Sequence, residues 1–204
     1  MSRPVLSIFG GVGVLALISI VPPTFAGEVQ AGAFKFQQPS SIGPVTGRAL
    51  EQLQQGIQGG AKNLAERSGL ADSQAAGALG TAFFKAFRTT DGKVTLAFMG
   101  QPAEGAADLS EMLVSGRERV NWGIQNGQLR GGSNVARQTL GDVPCILQNI
   151  EHRNGARLRT WLCFAPAAPR TQMTMSVICE DHAACEKHRQ DIDSVIATVR
   201  IGQQ

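Results

Sequence analysis

The chain has 204 residues, a formal net charge of +3, no tyrosine and four cysteines. So small a charge does not imply nucleic acid or an anionic membrane as a partner, and none is expected. With few aromatic residues, the core must come from Leu, Ile, Val, Met and a few Phe, which makes covalent staples useful.

Residues 1–26 have the order of a secretory signal peptide. Arg3 is the one charge, an apolar run extends from Val5 to Val21, Pro22 and Pro23 break any helix, and Thr24-Phe25-Ala26 ends on a small residue. The run is interrupted by Gly10, Gly11 and Gly13 and is at the short end for spanning a bilayer. Cleavage after Ala26 is therefore expected, rather than an anchor helix. Removing these residues takes away Arg3 and no acid, so the charge falls from +3 to +2. No cysteine follows the site as a lipid anchor requires, and no later segment is apolar enough to span. A periplasmic or secreted protein without a transmembrane segment after cleavage is expected.

Residues 27–44, with Gly, Gln, Pro and Ser in little periodicity, read as a flexible segment. Residues 45–89 read as a helical arm or hairpin. Leu50, Leu53, Ile57, Ala61 and Leu64 recur at helical steps, although Gly56, Gly59 and Gly60 each cost about 1 kcal/mol relative to alanine. A second helix is expected from Asp72 to Phe87, with Ala75, Leu79, Ala82, Phe83, Ala86 and Phe87 on one side. The pair is either an interaction arm or a hairpin folded on its own domain.

An α+β domain is expected over 90–204. Lys93–Met99 reads as a strand and Ala106–Gln125 as a helix with Asp108 near its start. Strands follow at about 134–140, 144–152, 156–164 and 172–179, then a helix from about His182 to Thr198 and a terminal strand at Val199-Arg200-Ile201. This order predicts an antiparallel sheet covered by helices, preceded by the N-terminal helical arm.

The hairpin at 144–164 carries the firmest local argument. Arg153-Asn154-Gly155 fits a three-residue loop with Gly155 in the left-handed position. That loop sets Ile146 against Leu162 and Ile150 against Leu158 on one face. On the other it sets Glu151 against Arg157, Leu147 against Trp161 and Cys145 against Cys163. A two-residue loop at Asn154-Gly155 would set Cys145 against Phe164 and part Glu151 from Arg157. The first register satisfies charge, apolar pairing and thiols together. Opposed strand residues have Cα separations of about 4.5–5.5 Å, within disulfide reach, so an oxidising compartment should join Cys145 to Cys163.

Cys179 and Cys185 then form the second pair, clipping strand end to helix start with Asp181 as N-cap. Connectivity does not follow from sequence alone; this choice is the most economical. The competing reading uses Cys179, His182, Cys185 and His188 as a metal or redox site. A step of three drifts by about 60° around a helix, so the four fan over half its circumference, and oxidation would consume both thiolates.

Enzyme motifs are weak. There is no Gly-x-Ser-x-Gly, Gly131-Gly132-Ser133-Asn134 reads as a turn, and His152 sits at the hairpin tip. Asp108, Glu111 and Glu118 fall on an exposed helix face, and Arg153, Arg157 and Arg159 form a small basic hairpin end.

The strand Lys93–Met99, the helix Ala106–Gln125, Gly141-Asp142-Val143 leading into the hairpin with Asn154-Gly155-Ala156-Arg157, and the closing Asp191–Val199 resemble the PsbP/Mog1-like group, including its bacterial DcrB-type envelope members. The resemblance implies an α/β/α sandwich with a central antiparallel sheet and a non-catalytic binding or assembly role. The four cysteines and the helical arm depart from it, so it assigns no functional residue. The expected function is a secreted or periplasmic, non-enzymatic binding or assembly protein of the cell envelope, with an envelope protein as partner and no cofactor. A secreted enzyme built from scattered residues, and the metal or redox site, are the alternatives.

Overall fold

The computed structural model describes residues 24–68, 83–102, 108–165 and 171–202. In chain order these form β1 (Phe25–Ala31), β2 (Phe34–Pro39), β3 (Ile42–Pro44), α1 (Gly47–Ser68), β4 (Phe83–Thr89), β5 (Val94–Pro102) and α2 (Leu109–Gln125). There follow β6 (Asn134–Leu140), β7 (Val143–Glu151), β8 (Arg157–Ala165), β9 (Thr171–Cys179), α3 (His182–Lys187), α4 (Arg189–Thr198) and β10 (Arg200–Ile201). The class is α+β. All strand pairs are antiparallel, in a seven-stranded sheet of order β3-β4-β5-β9-β8-β7-β6 and a three-stranded sheet β1-β2-β10.

Strand alternation sorts the core into two clusters. Leu147, Trp161, Met175 and Val177 belong to a large cluster shared with Phe34 and Phe36 of β2 and with Ile192 and Val195 of α4. Ile146 belongs to a smaller one with Met112 and Val120 of α2, joined by the half-buried Ile150, Leu162 and Phe164. Phe34, Phe36, Phe83, Phe87 and Phe98 gather where the small sheet meets the large one. Phe36 stacks on Phe98 at 4.8 Å between centroids and meets Phe87 edge-on at 5.3 Å. Such aromatic pairs add about 0.5–1.5 kcal/mol each beyond area burial.

Three expectations are corrected. Residues 27–44 are not a flexible segment: Phe34 and Phe36 point inward with Lys35 exposed between them, a two-residue period that places β2 in the core. The second helix expected over Asp72–Phe87 is overturned at its end, because Phe83–Thr89 is strand β4; residues 69–82 lie outside the described residues. Phe83, Ala86 and Phe87 fit a helical stripe, but aromatic packing against β5 and β2 selects the extended form. The α+β unit therefore does not begin at residue 90, since β3 and β4 are strands of its main sheet. Helix α1 lies between them in sequence, and a Cβ at Gly56 or Gly59 would meet nothing within 4 Å. The expected leader lies outside the described residues except for Thr24–Ala26, of which Phe25 and Ala26 enter β1.

The last helix is two. His188 interrupts the run at φ −103°, ψ 14° and carries the chain from α3 into α4. Asp181 caps α3, its carboxylate accepting from the Ala184 N–H at 2.7 Å, and Asp108 caps α2 through the Ser110 N–H at 2.7 Å.

Candidate functional site: a stapled cleft beside the hairpin

The β7–β8 hairpin has the register that charge and apolar pairing demand: Cys145 opposite Cys163, Leu147 opposite Trp161, Glu151 opposite Arg157. Gly155 takes φ +94°, its N–H donates to the His152 carbonyl at 3.0 Å, and the His152 N–H donates to the Ala156 carbonyl at 2.9 Å. At the far end Cys145 and Cys163 are bonded across the two strands, with Cα atoms 4.3 Å apart. At the loop end, Arg157 pairs with Cys179 of β9, and Cys179 is bonded to Cys185 of α3. Sheet and helical layer are thus joined covalently beside the hairpin mouth.

A cleft of about 320 Å³ opens there between the hairpin and α3–α4. Three arginines line it, Arg157, Arg159 and Arg189, with three acids, Glu151, Glu186 and Asp193, and the amides Asn134 and Asn149. Val177 and Ile192 give it an apolar component. Arg157 Nη2 lies 2.7 Å from Glu151 Oε1, both side chains about one-third exposed, and Arg189 Nη2 lies 2.8 Å from Glu186 Oε1. Arg159 lies over the Trp161 ring, 5.0 Å from its centroid. The Asn149 amide donates to Asn134 Oδ1 at 3.1 Å.

The turn before β6 fixes one wall. Ser133, buried, accepts from the Glu151 N–H at 2.9 Å, and the Arg130 N–H donates to the Glu151 carbonyl at 2.8 Å. A Cβ on Gly132 would come within 3.2 Å of the Glu151 carboxylate. This glycine–serine turn is therefore bracing for Glu151, and the Ser133 hydroxyl is spent on backbone.

The opposite wall is held by a polar latch. Asp91, in the β4–β5 turn, accepts from Lys187 Nζ at 2.8 Å, lies 2.9 Å from His188 Nε2, and takes the Thr89 hydroxyl at 2.7 Å and the Lys93 N–H at 3.2 Å. Lys187 above all, then His188 and Thr89, hold the Asp91 carboxyl well below the usual carboxylate range. His188 Nδ1 is 3.7 Å from Asp191, which accepts the Ser41 hydroxyl at 2.6 Å. Here an acid stands between hydroxyl and imidazole. A nucleophilic relay places the imidazole between them, so this network ties turns to helices instead.

The residues of the metal or redox reading are not brought together. Cys179 and Cys185 are consumed in one disulfide, His182 is exposed with Nδ1 3.9 Å from Glu186, and buried His188 faces Asp91. Among the described residues no group of three or more His, Cys, Asp or Glu converges as a metal site. His152 is exposed at the hairpin tip, bridged to Leu129. Among the described residues no helix is long and apolar enough to cross a membrane. Two disulfides fit an extracytoplasmic location.

Of the cleft residues, sequence pairing anticipates Glu151 with Arg157 and places Arg159 at the basic hairpin end. Asn149 and Arg159 are recoverable as alternate positions on the same hairpin face. Glu186, Arg189 and Asp193 are not, because nothing local says that the last helix crosses that face.

No protein-family model matches the sequence, and no curated protein matches it. Among solved structures the chain is similar to the solution structure of cyanobacterial PsbP (CyanoP) from Synechocystis sp. PCC 6803, with 10% identity and a TM-score of 0.45. That match covers 96% of this chain and 98% of the other, a weak PsbP-like resemblance.

Proposed function

We propose that this chain is an exported, non-enzymatic binding or assembly protein of the cell envelope, periplasmic or secreted, that engages a protein partner through the cleft between the hairpin and α3–α4. The observation that carries this reading is the stapling of the cleft. Cys179–Cys185 joins its floor to its helical wall, and the Asp91 latch anchors the same wall to the β4–β5 turn. A site ordered in advance loses less entropy on binding, and its ion-paired arginines and amides suit recognition of a polar partner surface. Export supplies the oxidising compartment that the staples require. Cleavage after Ala26 would remove the Phe25–Pro39 pair and the Ser40 N–H bond to the Thr24 carbonyl, and would keep the pairs from Gly27–Gln38 to Ala31–Phe34. Helix α1 offers a second contact surface, with Leu50 and Leu53 half-exposed.

Photo-crosslinking in the native envelope tests the proposal. A crosslinking residue at position 193, on the cleft rim, should trap a defined envelope protein. The same residue at the exposed position 114, on α2, should not. No adduct from 193, or the same adducts from both positions, would overturn it.

A further inference from the structure

We propose that the cleft takes an acidic side chain of the protein partner and that Arg159 is the residue that anchors its carboxylate; this deepens the reading of the cleft as the partner site and rests on it. Three arginines line the cleft, but two are already matched, Arg157 by Glu151 at 2.7 Å and Arg189 by Glu186 at 2.8 Å. Arg159 makes no ion pair among the described residues. Its guanidinium is held over the fully buried ring of Trp161. A guanidinium placed over an aromatic face keeps its in-plane N–H donors available, and their fork matches the two oxygens of a carboxylate.

Charge selects the class of anion. Glu151 and Glu186 answer Arg157 and Arg189, so among the lining charges Arg159 and the rim acid Asp193 are left without an ion pair among the described residues, and one added carboxylate can be answered by the one unmatched guanidinium. A phosphate near −2 would bring a second negative charge beside Glu186 and Asp193, which like-charge repulsion disfavours. Size points the same way. At about 320 Å³ the cleft is at the small end of ligand sites, which run from about 300 to 1,000 Å³, and it suits one or two side chains.

The test is an NMR titration of the mature, oxidised chain that follows Arg159 Nε–H and Trp161 Nε1–H. The Trp161 indole N–H is buried without a hydrogen-bond partner among the described residues, so its resonance reports the environment of the ring under Arg159. The probes are N-acetylglutamate α-amide, its neutral isostere N-acetylglutamine α-amide, and inorganic phosphate. The glutamate derivative should give saturable shifts at both positions, and the other two should not. Arg159→Gln should weaken binding by roughly tenfold or more, the loss expected of a charge-assisted hydrogen bond. Arg159→Lys, keeping the charge without the fork, should fall between. Asp193→Asn should tighten binding by removing a rim anion.

Equal shifts with the glutamine derivative, stronger shifts with phosphate, or undiminished binding in both Arg159 variants would overturn the proposal. A crosslink from position 193 that persists while the glutamate derivative shifts nothing would sink the carboxylate chemistry and leave the partner site standing. Loss of the crosslink alone would do the reverse.

Discussion

Phe83 depends on two glycines. A Cβ at Gly100, opposite it on β5, or at Gly32, in the β1–β2 turn, would collide with its ring. Gly32 is further confined by its φ of +60°, whereas Gly100 is required for space alone. Gly100→Ala should therefore cost about 1–3 kcal/mol, the usual effect of overpacking, seen as a lower urea midpoint. Phe83→Leu in the same chain should recover part of the loss. A Gly100→Ala protein as stable as wild type would show that the ring has room to move. At Asp91 the expected effect depends on pH. Its carboxyl is held below the ordinary range, so the native chain resists a proton that the unfolded chain accepts. The resulting stability is complete above about pH 4 and is lost as pH falls further toward the folded-state value. Asp91→Asn should be less stable than wild type at neutral pH, and the two unfolding curves should converge under acid. A gap that widens below pH 4 would contradict the latch.

At the scale of elements, the two disulfides should separate in their effects. Cys145–Cys163 spans 18 residues and Cys179–Cys185 spans 6. By loop entropy the first contributes about 3 kcal/mol and the second about 2. The double serine variant at 145 and 163 should thus lower the denaturation midpoint more. The variant at 179 and 185 should do more damage to binding, because Cys185 lines the cleft. Equal effects on both measurements would remove the assigned division of labour. The hairpin was legible because three constraints meet within 21 residues: a loop glycine, an ion pair and opposed thiols. Strands β2 and β4 were not. Phe34-Lys35-Phe36 is too short a run to announce period two, and Phe83, Ala86 and Phe87 satisfy a helical stripe equally well. Only the aromatic cluster uniting them with Phe98 decides for strand, and its members lie far apart in the chain. The break at His188 escapes local reading for the same reason, since Asp91, the partner that engages it, is 97 residues away.

For the whole molecule, function depends on compartment. The cleft is bounded by a wall that a disulfide holds to the sheet, and both disulfides fit the oxidising, extracytoplasmic location to which the proposed export would bring the chain. Binding by Arg159 and partner capture from the rim both presuppose that oxidised state. The most direct measurement is the intact mass of the protein recovered from the cytoplasmic and the extracytoplasmic fractions alike, alkylated once without reductant and once after reduction. The expected result is a chain beginning at Gly27 that takes up no alkyl group until reduced and four thereafter. A chain retaining its leader, with alkylated thiols before any reduction, would contradict both the export and the stapled cleft.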